Sequence, residues 1–441
     1  EDYQALAEAL NAYDGQEDAY LGLVMFSEKG TGDPSMGDLK DLYIVGLYAI
    51  IRAQEAQTPE DTVKEQFNLT SGGTYYFDLS AENILGTVND ALPDNTMHYV
   101  PFTYAGTVDA YKLTSAMATT EEYAKNNKYP HSLFVADYAV TKDVSRDALH
   151  TAKLIFGKNY ASGGVDYTLR APSVGSGSTG SGESRRVTPQ NNEWDKMLDK
   201  DDKYIKNWGK MFSWGQDTWS TSAPRCAVRG YDSARYGDHH SSWYNYVGLG
   251  FRPVLEVLNP DTLDSDGLKA VTLALGGGKL GNSSEDIQII VKNGSEFTAP
   301  ASGGLTRPDE NTDSYFMWLG SNGKLYAPGA NVPADVTTLT VQWTAPTYAV
   351  TLHANGGTIN SGNVTEYTYG VGATLPTDVT RTAYTFKGWY DNENLTGSPV
   401  TAISNTETGN KEYWAKWEAN TYTVTFDPNG GSVNPVAATT D

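Results

Sequence analysis

Residues 214–257 read WGQDTWSTSAPRCAVRGYDSARYGDHHSSWYNYVGLGFRPVLEV, and the two halves of this stretch obey different rules. The closing run, Val247-Gly-Leu-Gly-Phe-Arg-Pro-Val-Leu-Glu-Val257, combines β-branched and aromatic residues with glycines where backbones approach closely. It predicts a rigid scaffold strand over Leu249–Val257. The segment before it, Asp232–Tyr246, is almost wholly Tyr, Trp, His, Ser, Asp, Asn and Gly, with no aliphatic residue larger than Ala234. A core segment would hold Leu, Ile or Val and would not place Asp238, His239 and His240 in succession. Tyr and Trp supply large contact area at low rotamer cost, and Ser and Asn supply adaptable hydrogen bonds, which is the chemistry of a binding surface. On that ground the candidate ligand-binding residues are Thr218, Trp219, Ser220, Ser222, Asp232, Ser233, Tyr236, Asp238, His239, His240, Ser242, Trp243, Tyr244, Asn245 and Tyr246.

The chain has 441 residues, enough for several domains. Its 32 basic and 54 acidic residues leave a net charge of −22, a field that repels phosphate backbones and anionic lipid, so nucleic acid is excluded as an expected partner. The 44 glycines and 29 tyrosines fit a β-rich, turn-rich protein. Cys226 is the sole cysteine, which rules out an internal disulfide and a Cys-based zinc site. The composition fits an exported protein on a bacterial surface, its signal and any anchor lying outside this sequence. The longest apolar run, Leu42–Ile51, falls short of the roughly 18 to 20 residues that span a bilayer, and reads as a buried helix rather than a membrane insertion.

Outward from the opening stretch, residues 1–65 read as a helical N-terminal segment. Tyr3, Leu6, Ala7 and Leu10 have helical spacing, Ser35-Met-Gly-Asp38 is a capping box, and Thr58-Pro-Glu-Asp61 is a helix start. From 66 to 260 the pattern is α+β. Strands are predicted at Thr74–Leu79, His98–Tyr104, Leu133–Val140 and Val165–Arg170, and helices at Thr120–Lys128 and Ser145–Ala152. A flexible loop is predicted at Gly175–Gly182 and a solvated helix within Asn192–Trp208. Beyond Pro260 the chain repeats itself. Val271-Thr-Leu-Ala-Leu-Gly-Gly-Gly, Val350-Thr-Leu-His-Ala-Asn-Gly-Gly and Val424-Thr-Phe-Asp-Pro-Asn-Gly-Gly recur, with Trp318 and Trp389 as expected core anchors. The expected architecture is therefore α+β and β multidomain, with modules at 269–345 and 347–420 and the start of a further one at 421–441.

The unit from Tyr348 to Asn420, with VTLHANGG, YTFKGWYDNENLTG and YWAKWEAN, resembles the Listeria-Bacteroides type repeat, also called the internalin B-repeat. That resemblance implies a β-grasp-like module acting as a stalk or spacer, and 269–345 looks like a divergent copy. Ala227-Val-Arg-Gly-Tyr231, Ser233-Ala-Arg235 and Gly250-Phe-Arg-Pro-Val-Leu-Glu256 resemble the C-type-lectin-like fold shared by formylglycine-generating enzymes and the variable proteins of diversity-generating retroelements. For the variable proteins it implies a constant scaffold ending in a Gly-Phe-Arg strand, preceded by positions randomised at template adenines. Asp232, Tyr236, Asp238, His239, His240, Ser242, Tyr244, Asn245 and Tyr246 are residue types reachable from an asparagine codon by that route; Trp219 and Trp243 are not.

Three bland readings compete with chemistry. Adjacent His239 and His240 could ligate a metal with Asp238, but neighbours on a strand point to opposite faces, so they read as contact residues. Asp261, Asp264 and Asp266-Gly267 lack the Glu that closes a calcium loop and read as a polar turn. Cys226 reads as a buried structural thiol, and the nucleophile elbow, zincin and Walker patterns do not occur, so neither catalysis nor a cofactor or metal is expected. Arg229, Arg235 and Arg252 are expected to bond loop carbonyls or carboxylates such as Asp232. The expected function is a bacterial cell-surface receptor or adhesin with a hypervariable face, its target a protein or glycan on another cell, host or phage. The alternatives are a fixed-sequence carbohydrate-binding lectin and, further off, an enzyme of the formylglycine-generating type.

Overall fold

The computed structural model describes Phe26–Ser27, Leu42–Tyr43 and residues 63–180, 186–219, 225–301, 303–308, 316–424, 427, 429–431 and 438–440. The chain divides into two compact units, Glu1–Lys64 and Glu65–Asp441. In the first, Phe26–Ser27 and Leu42–Tyr43 pair antiparallel. This corrects the helical reading at Leu42-Tyr43: an apolar run without a polar period carries no signal that separates helix from strand. The rest of the predicted helical segment lies outside the described residues.

The second unit is mainly β. One six-stranded sheet runs in the order Thr74–Phe77, Val100–Tyr111, Lys128–Ala136, Val254–Val257, Val165–Arg170, Lys158–Ser162. Another runs Gly237–Ser241, Arg225–Gly230, Phe212–Thr218, Leu249–Phe251, Thr141–Lys142, Thr87–Val88. The single strand predicted over Leu249–Val257 is thus two strands in two sheets. Pro253, which has no N–H to give a ladder, marks the crossing. The fully buried Arg252 ties both sheets there, donating to the carbonyls of Ala136 (2.7 Å) and Asn207 (3.1 Å) and to Ser213 Oγ (3.2 Å). Phe77, Phe102, Phe134 and Tyr167 pack edge to face in the main core.

The helices Glu121–Asn126 and Arg146–Thr151 fall within the spans predicted for them, and Thr120 and Ser145 cap their N-termini. The third helix, Glu193–Lys200, is shorter than predicted and is not solvated, since Glu193, Trp194, Asp195, Met197 and Leu198 are buried. Its acids face arginines. Arg170, fully buried, binds Glu193 through two nitrogens (2.8 and 2.5 Å) and also Glu256 (2.9 and 3.1 Å). His131 Nε2 meets Glu193 at 2.7 Å, and Lys112 and the Tyr129 hydroxyl meet Glu256. Burial pushes both carboxyls up, but the Arg170 charge and the cluster's other charges and bonds outweigh it. Glu193 is held well below the usual carboxylate range, and Glu256 falls to about 2. The described part of the predicted flexible loop at Gly175–Gly182 is paired and packed: Gly177–Thr179 pairs with Arg186–Thr188, and a Cβ on Gly175 would lie 2.3 Å from Val187.

Two small modules follow with one strand plan. In the first, Leu268–Ala274 pairs parallel with Thr338–Gln342 and antiparallel with Ile287–Lys292, while Met317–Gly320 flanks Thr338–Gln342. In the second, Thr347–His353, Lys411–Ala419, Glu366–Thr368 and Tyr384–Tyr390 take the same places. The tryptophan anchors match too. Trp318 Nε1 donates to the Pro300 carbonyl and Trp389 Nε1 to that of Pro376 (3.0 and 2.8 Å). Trp343 and Trp417 donate to Leu275 and Ala354 (2.8 and 2.9 Å), each over a glycine, Gly278 or Gly357, where a Cβ would strike the indole at 2.2 Å.

Candidate ligand-binding face

Gly237–Ser241 is the edge strand of its sheet, paired on one side with Arg225–Gly230 in the register Cys226↔His240, Ala227↔His239 and Val228↔Asp238. It begins at a glycine because a Cβ on Gly237 would lie 2.3 Å from Val187. Asp238 Oδ1 accepts the His239 amide at 2.9 Å, which occupies a donor that a bare edge would offer to another strand.

The alternation of the strand separates the two histidines. His239 turns toward Trp219 (ring centroids 4.9 Å apart) and Arg225 (3.0 Å). His240 turns to the other side, edge-on to Phe212 (5.3 Å) and Trp214 (6.4 Å), stacked with Tyr244 (5.9 Å) and beside Tyr246 (6.0 Å). From Tyr244 the contact passes to Trp243 (5.9 Å). A continuous run of rings therefore leads from the buried Phe212 and Trp214 to the exposed Trp243 and Tyr244, which are 67% and 40% exposed. Burial lowers the His240 pKa, and its Nε2 has no hydrogen-bond partner and no solvent contact, so this imidazole serves the stack as a neutral ring. Among the described residues no group of three or more His, Cys, Asp or Glu is placed to hold a metal.

The other candidates divide. Tyr236 and Tyr246 are half-buried against the main core, with the Tyr236 hydroxyl 3.4 Å from Asp238. Asp232, Ser233 and Asn245 are exposed, and Ser242 Oγ donates to Asp147 at 3.0 Å. Thr218 is half-buried. Trp219, at 5% exposure, belongs to the core on the far side of the sheet rather than to the face. Ser220 and Ser222 lie outside the described residues.

Three arginines are structural, but their carboxylates are not the expected Asp232. Buried Arg229 binds Asp195 (2.5 and 3.1 Å) and the Val174 carbonyl (2.9 Å). Arg235 reaches Asp199 (2.9 Å), Asp202 (3.0 Å) and the Leu198 carbonyl (2.9 Å), and Trp194 Nε1 donates to Ala234 (2.8 Å). The turn before the edge strand is thereby fixed to the helix Glu193–Lys200. The sequence signal for this was the acid spacing in that helix, which had been assigned to solvent. Cys226 is 3% exposed and burial raises its thiol pKa, the reverse of what a nucleophilic thiolate requires.

Comparison with known proteins adds the following. The Listeria-Bacteroides repeat domain family matches residues 348–416. Two proteins of Evansella cellulosilytica are similar over part of the chain: one named as a Gly-rich membrane protein, 36% identical over 113 residues, and one named as a membrane protein, 39% identical over 98. These matches span 25% and 22% of this chain and only 13% and 14% of those proteins. No solved structure matches. Among the described residues no helix is long and apolar enough to cross a membrane. Residues 348–416 are thus a Listeria-Bacteroides repeat domain, carried near the C-terminus of a mainly-β multidomain chain.

Proposed function

We propose that this chain is the recognition end of a bacterial cell-surface or envelope receptor. Residues 66–258 are read as a C-type-lectin-like domain whose face around Trp243, Tyr244, Tyr246 and His240 binds a protein or glycan, with side chains diversified by a retroelement. The observation that carries this reading is the run of aromatic rings from His240 on the edge strand to the exposed Tyr244 and Trp243 just after it, with Arg229 and Arg235 fixing the segment that leads into that strand. Rigid backing lets side chains change without unfolding the domain, and exposed Trp and Tyr are the residues that most often dominate interface energy. The buried Cys226 thiol, whose pKa burial raises, favours binding over thiol-based turnover. The repeat domain and the names of the two relatives support an envelope location.

Deep sequencing of the locus across the source population tests it. Substitutions confined to Thr218–Tyr246 and arising at template adenines, with Gly250-Phe-Arg-Pro253 fixed, are expected. A uniform sequence would overturn diversification and leave a fixed-sequence adhesin.

A further inference from the structure

A cleft of about 600 Å³ opens where the first small module meets the binding domain, and none of the recognition-face residues lines it. Its volume lies within the range typical of small-molecule sites, which favour junctions between domains. The walls are held in place. The Lys292 amide donates to the Gly163 carbonyl at 2.7 Å, the Tyr99 hydroxyl donates to the Ala301 carbonyl at 3.1 Å, and a Cβ on Gly163 would lie 2.2 Å from the Ile290 oxygen. A cleft formed in advance spares a ligand the cost of ordering it.

Its chemistry is lopsided. Asp78 faces the cleft with a side chain 44% exposed. Oδ1 accepts the Ser80 amide (2.9 Å) and hydroxyl (2.6 Å), and Oδ2 accepts His98 Nδ1 (3.1 Å). These bonds aim the carboxylate and leave acceptor capacity on Oδ2, since a carboxylate has about four lone-pair sites. No Lys or Arg is among the described residues of the lining. Behind the wall, buried Asp94 is bonded by the amides of Thr96, His98 and Tyr99. Burial raises the Tyr99 phenol, and the charges of Asp78 and Asp94 raise it further; burial does the same at Tyr76, followed by Asp137. The local field is negative, and the apolar surface beside it comes from Tyr76 and Ile289.

We infer that this cleft is a second binding site and that it takes a small organic cation, an alkylammonium group held by Asp78 with its methylenes against Tyr76 and Ile289. An anion would meet the Asp78 carboxylate with His98 as the only cationisable side chain among the described lining residues, whereas an ammonium ion gains a charge-assisted hydrogen bond and an aromatic neighbour. The ammonium can belong to a free amine or to a lysine side chain.

The test is calorimetric titration of the whole chain with 1,5-diaminopentane, with N-acetyl-lysine amide and with methyl glucoside as the neutral probe. Saturable binding of either ammonium probe, weakened at least about tenfold in Asp78→Asn, supports the inference, and the preferred probe separates a free amine from a side-chain source. The Asn keeps an acceptor for Ser80, so its melting transition should stay in place. Ile289→Trp fills the cleft without touching the charge and should block the same probe. Failure of both ammonium probes to saturate at millimolar concentration, equal binding by Asp78→Asn, or binding of the glucoside alone would each overturn the inference.

Discussion

The two small modules share strand order, parallel central pair and tryptophan anchors, yet they stand in different relations to the larger domain of residues 66–258. The first is knitted in. Tyr99, which leads into Val100–Tyr111 of the larger domain, is 3% exposed and lies in the first module's core, while Leu263, Leu268 and Ile290 lie in the larger domain's core. Asn68 adds two bonds across the junction, its amide to the Ser265 carbonyl and its Nδ2 to Asp266, at 2.8 and 2.7 Å. Among the described residues, the second module's core draws only on residues 348–417, and its sheets contain only its own strands. One fold plan therefore packs into its neighbour's core in one copy and keeps a self-contained core in the next. What differs is whether apolar side chains cross the boundary, because shared burial is what makes two regions unfold as one cooperative unit.

The largest effect expected comes from cutting the equivalent tryptophans. Trp318→Ala and Trp389→Ala each remove a nearly fully buried indole and should cost about 3–5 kcal/mol. Scanning calorimetry of the whole chain should show Trp318→Ala lowering the transition of the larger domain and first module together. Trp389→Ala should move only a separate, smaller transition. A single transition shifted alike by both variants would break the comparison.

Ion pairs sharpen it next. Arg170→Met strands two buried carboxylates in the larger domain and should cost about 3–5 kcal/mol, whereas Lys411→Met removes the partly exposed Lys411–Glu407 pair of the second module for about 0–1 kcal/mol. The same contrast fixes the acid response. Because the folded-state pKa values of Glu193 and Glu256 are depressed, the stability they contribute is fully present above the unfolded value near 4.3. It is lost as pH falls from there to about 2, the value at Glu256. The melting temperature of the coupled unit should therefore drop more steeply than that of the second module between roughly pH 4.3 and 2. Parallel slopes would sink this account. A smaller effect, about 0.5–1.5 kcal/mol, is expected for Asn68→Ala, felt in the coupled transition alone.

How much of this was legible in the sequence follows from the range of each signal. The strand Val165–Arg170, helices within Thr120–Lys128 and Ser145–Ala152 and the two module tryptophans rest on local period or internal repetition, and the structure has them where the sequence puts them. The Arg170–Glu193–Glu256 cluster was invisible because its members come from three distant segments and each, taken alone, looks like a solvated charge. The same blindness made Glu193–Lys200 a surface helix and left Arg235 without its Asp199 and Asp202 partners. The break at Pro253 was present in the sequence but outvoted by the β-rich residues on either side.

Composition also put Trp219 and Trp243 in one class, and the smallest stability effect expected separates them. Trp219 is 5% exposed and packs with Ala227 and Trp194, so Trp219→Ala should lower the coupled transition like any core truncation. Trp243, 67% exposed, touches Tyr244 at the end of the ring run, and Trp243→Ala should leave both transitions within about 0.5 kcal/mol of the parent. If Trp243→Ala instead destabilised the coupled unit, the face would be part of the core rather than a surface carried by it. The independence of the edge-strand side chains from the scaffold, on which the binding proposal depends, would then be lost. If it is neutral, the buttressed domain has the property a variable recognition surface needs: stability is stored behind the strand, in Arg229, Arg235 and Arg252 and in the fused module, and the residues facing outward are free to change.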